Sequence, residues 1–170
     1  VKIRPGGPAD APAVLKMFDD AVAWLVAHGR SGQWGDKPWS SNPERVEFVQ
    51  KTAAEDGFWI AEIDGNPAGT LCVAEEPTRY ITPADERELY VRLLLTAREY
   101  AGHRVGSTLL DHARDIARER GIDLVRVDCY AGGDGSLIRY YTRNGFTPTE
   151  RFHVGDWPGQ LFEQRLGGTA

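Results

Sequence analysis

Apolar residues recur at helical spacing through Ala11, Val14, Leu15, Phe18, Val22 and Leu25, which predicts a helix with one buried face. Asp10 stands in the N-cap position, and Gly29 is suited to the residue just past the helix end. Ahead of it, residues 2–4 read as a short strand closed by the turn signal Pro5-Gly6-Gly7-Pro8. Residues 29–43 hold Gly29, Gly32, Gly35, Pro38, Pro43, Trp34 and Trp39 without a period, which marks a long loop. A second helix is expected over residues 44–55, with Asn42 as cap, Pro43 at its first position, and Val46, Val49 and Ala53 on one face.

The pattern then changes to strands. Residues 58–63 and 68–74 form a hairpin around Asp64-Gly65-Asn66-Pro67, and the polar, proline-containing residues 75–87 form a loop. Residues 89–96 make an apolar strand interrupted by Arg92. A helix over residues 106–120, closed by Gly121, turns Leu109, Leu110, Ala113 and Ile116 inward. A strand over residues 124–130 follows, then a helix over residues 135–143 capped by Asp134 and stopped by Asn144-Gly145. Trp157 falls on a turn between weaker strands at residues 146–154 and 160–166. The order β-α-α-β-β-β-α-β-α-β-β predicts one mixed α/β domain over residues 1–170, with a right-handed parallel crossover between residues 89 and 130.

Composition narrows the function classes. A chain of 170 residues fits one domain that buries roughly 70% of its unfolded surface. Its net charge of −5 argues against a general nucleic-acid partner and leans towards a cationic substrate. No apolar run is long enough for a membrane span, and residues 1–5 lack the apolar core of a signal peptide, so a cytoplasmic protein is expected. Cys72 and Cys129 lie in apolar strands and are expected to be buried thiols. Neither they nor the four histidines show metal-ligand spacing, so no metal is expected.

The most informative segment joins Leu94, Leu95 and Thr96 to Gly102, His103, Arg104, Val105, Gly106 and Ser107. A strand runs through a glycine-containing turn directly into a helix. The first amides of that helix have no intrahelical partner and, with the helix dipole, favour an anion. His103 and Arg104 add positive charge, and Ser107 adds a hydroxyl. No P-loop lysine and no dinucleotide glycine fingerprint occurs. Taken alone, the segment equally reads as an ordinary connection.

The stretch Ala101-Gly102-His103-Arg104-Val105-Gly106 resembles the pyrophosphate motif Arg/Gln-x-x-Gly-x-Gly/Ala of the GNAT superfamily of N-acetyltransferases. Gly106 matches, while Ala101 and Arg104 depart from the pattern. Downstream, residues 134–146 keep the superfamily's Tyr-x-x-x-Gly-Phe spacing at Tyr141, Gly145 and Phe146, with Asp134 in place of Asn. This resemblance covers nearly the whole chain. It implies a central mixed, partly splayed sheet flanked by about four helices. It also implies acetyl-CoA as acyl donor, with its pantetheine arm along Leu94–Thr96, its phosphates at residues 102–107, and Asp134 and Tyr141 in contact.

By the same resemblance, Tyr141 is the donor and general acid for the leaving thiolate, and a backbone amide near Leu95 or Thr96 stabilises the oxyanion. An acceptor amine must be neutral to attack, and a free alkyl ammonium has a pKa of about 10, so the site must also take up a proton. Glu75, Glu76 and Asp128 are candidate bases, and a water relay is an alternative. Trp34, Trp39 and Glu75 are candidates for the acceptor side, although the tryptophans equally suit pinning their loop. Arg139 and Arg143 read as solvated or as contacts to the 3′-phosphate. The implied reaction is direct attack by a primary amine, of a small molecule, within a ternary complex. A protein N-terminus or lysine is the second acceptor class, and a non-catalytic acyl-CoA-binding module is the distinct alternative. A homodimer is compatible with all three.

Overall fold

The computed structural model describes residues 1–167; residues 168–170, which the expected single domain also includes, lie outside the described residues. Strands β1 (Lys2–Pro5), β2 (Phe58–Ile63), β3 (Asn66–Ala74), β4 (Glu88–Thr96), β5 (Leu124–Tyr130), β6 (Thr147–Val154) and β7 (Trp157–Arg165) form a seven-stranded sheet in the order β1-β2-β3-β4-β5-β7-β6. Helices are α1 (Ala11–Ala27), α2 (Pro43–Ala53), α3 (Val105–Glu119) and α4 (Ser136–Arg143). The mixed α/β class and the element order match the sequence reading. The described residues group into two compact units, Val1–Cys72 with Leu93–Leu109, and Val73–Arg92 with residues 110–167.

In the first unit, β1, β2 and β3 pair antiparallel from β1 to β2 and from β2 to β3. Val14, Met17 and Phe18 of α1 and Val49 and Ala53 of α2 pack with Phe58, Ile60, Cys72 and Leu95 into one core. Asn42 caps α2 as expected: its side chain accepts from the Glu44 and Arg45 amides, and Pro43 occupies the first turn. Asp10 does not cap α1. A 3₁₀ turn at Pro8–Asp10 precedes the helix, and the Asp10 carboxylate instead accepts from the Gly7 amide at 2.9 Å and from Arg4 at 2.7 and 3.1 Å. Arg4 also donates to Glu62 at 3.1 Å and so links β1, β2 and the start of α1. The β2–β3 turn is tighter than expected. Asp64 and Gly65 both take positive φ, 51° and 78°, as a two-residue primed turn requires. The strand therefore starts at Asn66, and an irregularity between Ala61 and Glu62 accommodates Pro67.

In the second unit, β4 and β5 run parallel from Glu88↔Leu124 to Val91↔Val127, while β5 pairs β7 antiparallel over its full length. β6 and β7 form a tight hairpin across Gly155-Asp156, so Trp157 opens β7 opposite Val154 and does not sit on the turn. Buried Glu88 and Arg126 form an ion pair at 2.7 Å, and Arg126 also donates to the Thr82 carbonyl. The Ala84 amide donates to the other Glu88 oxygen at 2.7 Å, which anchors the loop of residues 75–87 to the sheet. Cys129, like Cys72 in the first unit, is buried and outside any disulfide. No helix among the described residues is long and apolar enough to cross a membrane.

Candidate active site

β4 ends at Thr96 with Leu95 buried and Leu94 and Thr96 half-buried. The next residue is held in line with β3, because the Ala97 amide donates to the Ala68 carbonyl at 2.8 Å. The chain then makes a 3₁₀ turn at Arg98–Tyr100, and the His103 amide donates back to Tyr100. Two left-handed residues follow, Gly102 at φ 86° and Arg104 at φ 59°, and α3 starts at Val105, one residue earlier than expected. The Thr108 amide closes the first turn on the Arg104 carbonyl at 3.0 Å. The amides of Val105, Gly106 and Ser107 therefore precede the first intrahelical bond and form an anion cradle at the N-terminus of a fifteen-residue helix.

The departure from the motif at Arg104 leaves the backbone path intact: arginine holds the positive φ that a glycine would take without cost. Gly69 of β3, which sequence reasoning missed, makes the close packing possible. A Cβ there would lie 2.7 Å from Val105 Cγ1, 2.9 Å from the Leu95 carbonyl oxygen and 3.2 Å from Leu109 Cδ1. Gly69 thus lets the end of β4 and the first turn of α3 converge on β3. Its only signal in the sequence was a glycine inside an apolar strand. His103 is exposed, with its ring Nδ1 3.1 Å from the Tyr100 carbonyl.

Trp34 and Trp39 belong to the same unit and pack on Phe18. Trp39 stacks face to face at 3.9 Å, Trp34 meets Phe18 edge-on at 5.3 Å, and the Arg45 guanidinium covers Trp39 at 4.3 Å. Trp39 Nε1 and Arg45 both donate to the Trp34 carbonyl. These contacts pin the loop of residues 28–42 to α1. Trp34 also borders an open groove of about 700 Å³ shared with Asp36, Lys37, Glu44 and Arg45.

The second unit holds the remaining candidates. Tyr141 is buried on α4, packed against Phe162 at 5.4 Å and edge-on to Tyr140 and Phe146. Burial raises its pKa well above the ordinary tyrosine value, and the fields of Cys129, Tyr140 and Asp128 add to the shift, so the phenol keeps its proton. Asp134 is one residue too early to cap α4. Gly135, at φ 76°, takes the cap position, and the Asp134 carboxylate accepts from the Ser136 amide at 3.0 Å. Glu75, just past β3, is an ion-pair partner: Arg87 binds both its oxygens at 2.6 and 3.1 Å, and Arg120 donates at 3.2 Å. The Arg87 hydrogen bonds hold its carboxyl below the usual carboxylate range.

Asp128 has the opposite character. It is the first β5 residue after the last β4–β5 pair, Val91↔Val127. Burial pushes its pKa up, opposed by hydroxyls donated from Tyr90 and, at 3.3 Å, from Tyr80. Tyr80 and Tyr90 were not legible as site residues, because their loop and strand meet only in the folded chain. No group of three His, Cys, Asp or Glu among the described residues is placed to hold a metal ion.

A left-handed turn feeding an anion cradle, after a strand that pairs in parallel with the next strand, is the arrangement the motif resemblance implies. A sequence profile of the acetyltransferase (GNAT) family matches residues 21–146. The chain belongs to the GNAT family. A Xenopus tropicalis relative named "Probable N-acetyltransferase camello" is 37% identical over 89 residues, covering 52% of this chain and 37% of its own length. The chain spans less than half the length of the curated relatives it matches. Solved GNAT-type structures superpose over nearly the whole chain. Ribosomal-protein-alanine N-acetyltransferase from Brucella melitensis aligns with TM-score 0.66 and 21% identity, over 98% of this chain and 100% of its own. PaiA N-acetyltransferase from Thermoplasma acidophilum, solved in complex with coenzyme A, aligns with TM-score 0.64 and 17% identity, over 96% and 98%. At these identities the superpositions establish the fold.

Proposed function

We propose that this GNAT-family chain transfers an acetyl group from acetyl-CoA to a primary amine of a small molecule, by direct attack within a ternary complex. The observation that carries this reading is the Gly102–Arg104 turn into α3, which leaves the first three amides of the helix ahead of its first intrahelical bond, with His103 and Arg104 beside them. A diphosphate fits that chemistry: it takes several N–H donors and the positive end of a helix dipole at once. The half-buried end of β4 beside the cradle offers backbone for the pantetheine arm, and an amide at Leu95 or Thr96 is assigned to the oxyanion.

In this reading the amine nitrogen attacks the thioester carbonyl, the carbon–sulfur bond breaks, and the thiolate leaves with Tyr141 as hydrogen-bond donor. The Tyr-x-x-x-Gly-Phe spacing assigns Tyr141 to that role, and burial keeps its phenol protonated. Complete transfer to a thiolate whose conjugate acid has a pKa of about 8.5 is uphill from such a phenol, so Tyr141 acts chiefly by donating a hydrogen bond to the departing sulfur. Glu75, locked between two arginines, does not suit the role of base. Asp128, whose pKa is raised, suits it better.

Two measurements test the proposal. Acetyl-CoA and CoA should each raise the thermal midpoint, since a ligand that binds only the folded state stabilises it. Thiol release with a panel of small amines and an alanine-ended or lysine-containing peptide should show turnover with the small amines. Tyr141→Phe should lower kcat by about tenfold or more while leaving acetyl-CoA affinity unchanged. No midpoint shift with either form of the cofactor sinks the reading; binding without turnover on any amine leaves a non-catalytic acyl-CoA-binding protein.

A further inference from the structure

On the second unit, Asp128 shares one sheet face with Tyr130 and, across the β5–β7 register, with Leu161, Gly159 and Trp157. Phe152 joins that face opposite Gly159. Four rings stand in a row there: Tyr80 stacks on Phe152 at 5.6 Å, Phe152 meets Trp157 at 6.3 Å, and Trp157 meets Tyr130 at 5.6 Å. The row is built into the backbone. A Cβ on Gly159 would fall 2.2 Å from the Phe152 ring, and one on Gly132 would fall 2.2 Å from the Tyr130 hydroxyl, so glycine at both positions leaves room for these rings. α4 packs on the other face, where Tyr141 meets Phe162.

The row borders a carboxylate held as an acceptor. Tyr80 and Tyr90 both donate to Asp128, and both hydroxyls favour its anionic form. Among the described residues no cation pairs with Asp128. Arg126, two residues earlier on the same strand face, is taken up by Glu88 and the Thr82 carbonyl. Tyr80 is 43% exposed, and Phe152, Trp157, Tyr130 and Asp128 are each half-buried, so a solute can reach the row. Negative ring faces beside a carboxylate that no described cation neutralises are complementary to an ammonium group.

We infer that the aromatic row Tyr80–Phe152–Trp157–Tyr130, with Asp128 beside it, is a recognition site for the ammonium end of a cationic amine, and that it selects the acceptor. The inference rests on the acetyltransfer reading for the use made of the amine, but the binding itself is testable without turnover. Choline carries a permanent charge and no N–H to acetylate, and 3,3-dimethylbutan-1-ol has the same shape without the charge. Both are titrated into wild type and Asp128→Asn, followed through the Trp157 indole N–H resonance, assigned with Trp157→Phe. Choline should shift that signal in wild type, the neutral isostere should bind about tenfold more weakly or worse, and Asp128→Asn should remove the preference. Should Asp128→Asn fail to fold, Tyr80→Leu, an exposed position, should weaken choline binding severalfold. Equal binding of choline and its isostere, or an undiminished preference in the folded variant, overturns the inference. Stabilisation by acetyl-CoA, measured on the same samples, reports on the transfer reading separately.

Discussion

Arg104 gives the sharpest test of the turn proposed to hold the cofactor. It holds φ 59° at the residue before α3, where an L side chain costs about 1–2 kcal/mol relative to right-handed backbone. Arg104→Gly removes that cost but adds the extra unfolded-state entropy of glycine, about 0.4–1 kcal/mol. The side chain is exposed, so little packing is lost. The net expectation is a gain of about 0.5–1 kcal/mol, and for a chain of this size the thermal midpoint of the ligand-free protein should rise by about 1–4 °C. Arg104→Ala is the control: it removes the same charge and keeps the positive φ, so it should gain nothing. Differential scanning calorimetry without ligand gives the first comparison, and acetyl-CoA titration gives the second. If Arg104 serves the phosphates by charge, both variants should lose affinity alike, severalfold at low salt and less at high salt. A midpoint for Arg104→Gly at or below that of Arg104→Ala would refute the claim that this position is strained.

Gly69→Ala should destabilise the fold by about 1–3 kcal/mol in chemical denaturation, because the Leu95 carbonyl is backbone and cannot rotate away from the new methyl; acetyl-CoA binding should weaken with it as α3 is pushed off the strand. Arg126→Met strands the Glu88 carboxylate, which is 3% exposed, and should cost about 3–5 kcal/mol, whereas the double change with Glu88→Leu should recover most of that; no recovery would mean the pair is not the anchor of the 75–87 loop. The Asp10 carboxyl is held below the ordinary aspartate value of 3.8, chiefly by the Arg4 hydrogen bonds. Its contribution is therefore complete above pH 3.8 and is lost as pH falls through the depressed folded value. Asp10→Asn should flatten the acid limb of a midpoint-against-pH series below that point, and an unchanged limb would contradict the assignment.

The periodic elements were legible because each carries its own signal. The α1 stripe from Val14 to Leu25, the Asn42-Pro43 start of α2 and the apolar run into Thr96 are local patterns, and each folds as read. The motif at residues 101–106 was legible for the same reason, since a strand, a turn and a helix start are contiguous in sequence. Boundaries failed where two local signals competed. Asp10 and Asp134 looked like caps, but a neighbouring turn intervened and gave each carboxylate another amide, Gly7 or Ser136. Trp157 looked like turn because Gly155, Pro158 and Gly159 surround it, yet the two-residue turn at Gly155-Asp156 leaves it paired with Val154.

The sequence by itself determined the class of fold and the family, because those depend on periodicity and on contiguous spacing. Only the tertiary structure decided how carboxylates of one chemical type divide their work. Glu75 meets Arg87 and Arg120, 12 and 45 residues away, and becomes an ion-pair partner, whereas Asp128 meets Tyr80 and Tyr90, 48 and 38 residues away, and among the described residues pairs with no cation. A charge takes its character from the groups that surround it in space, and those groups come from strands and loops whose meeting no local pattern encodes.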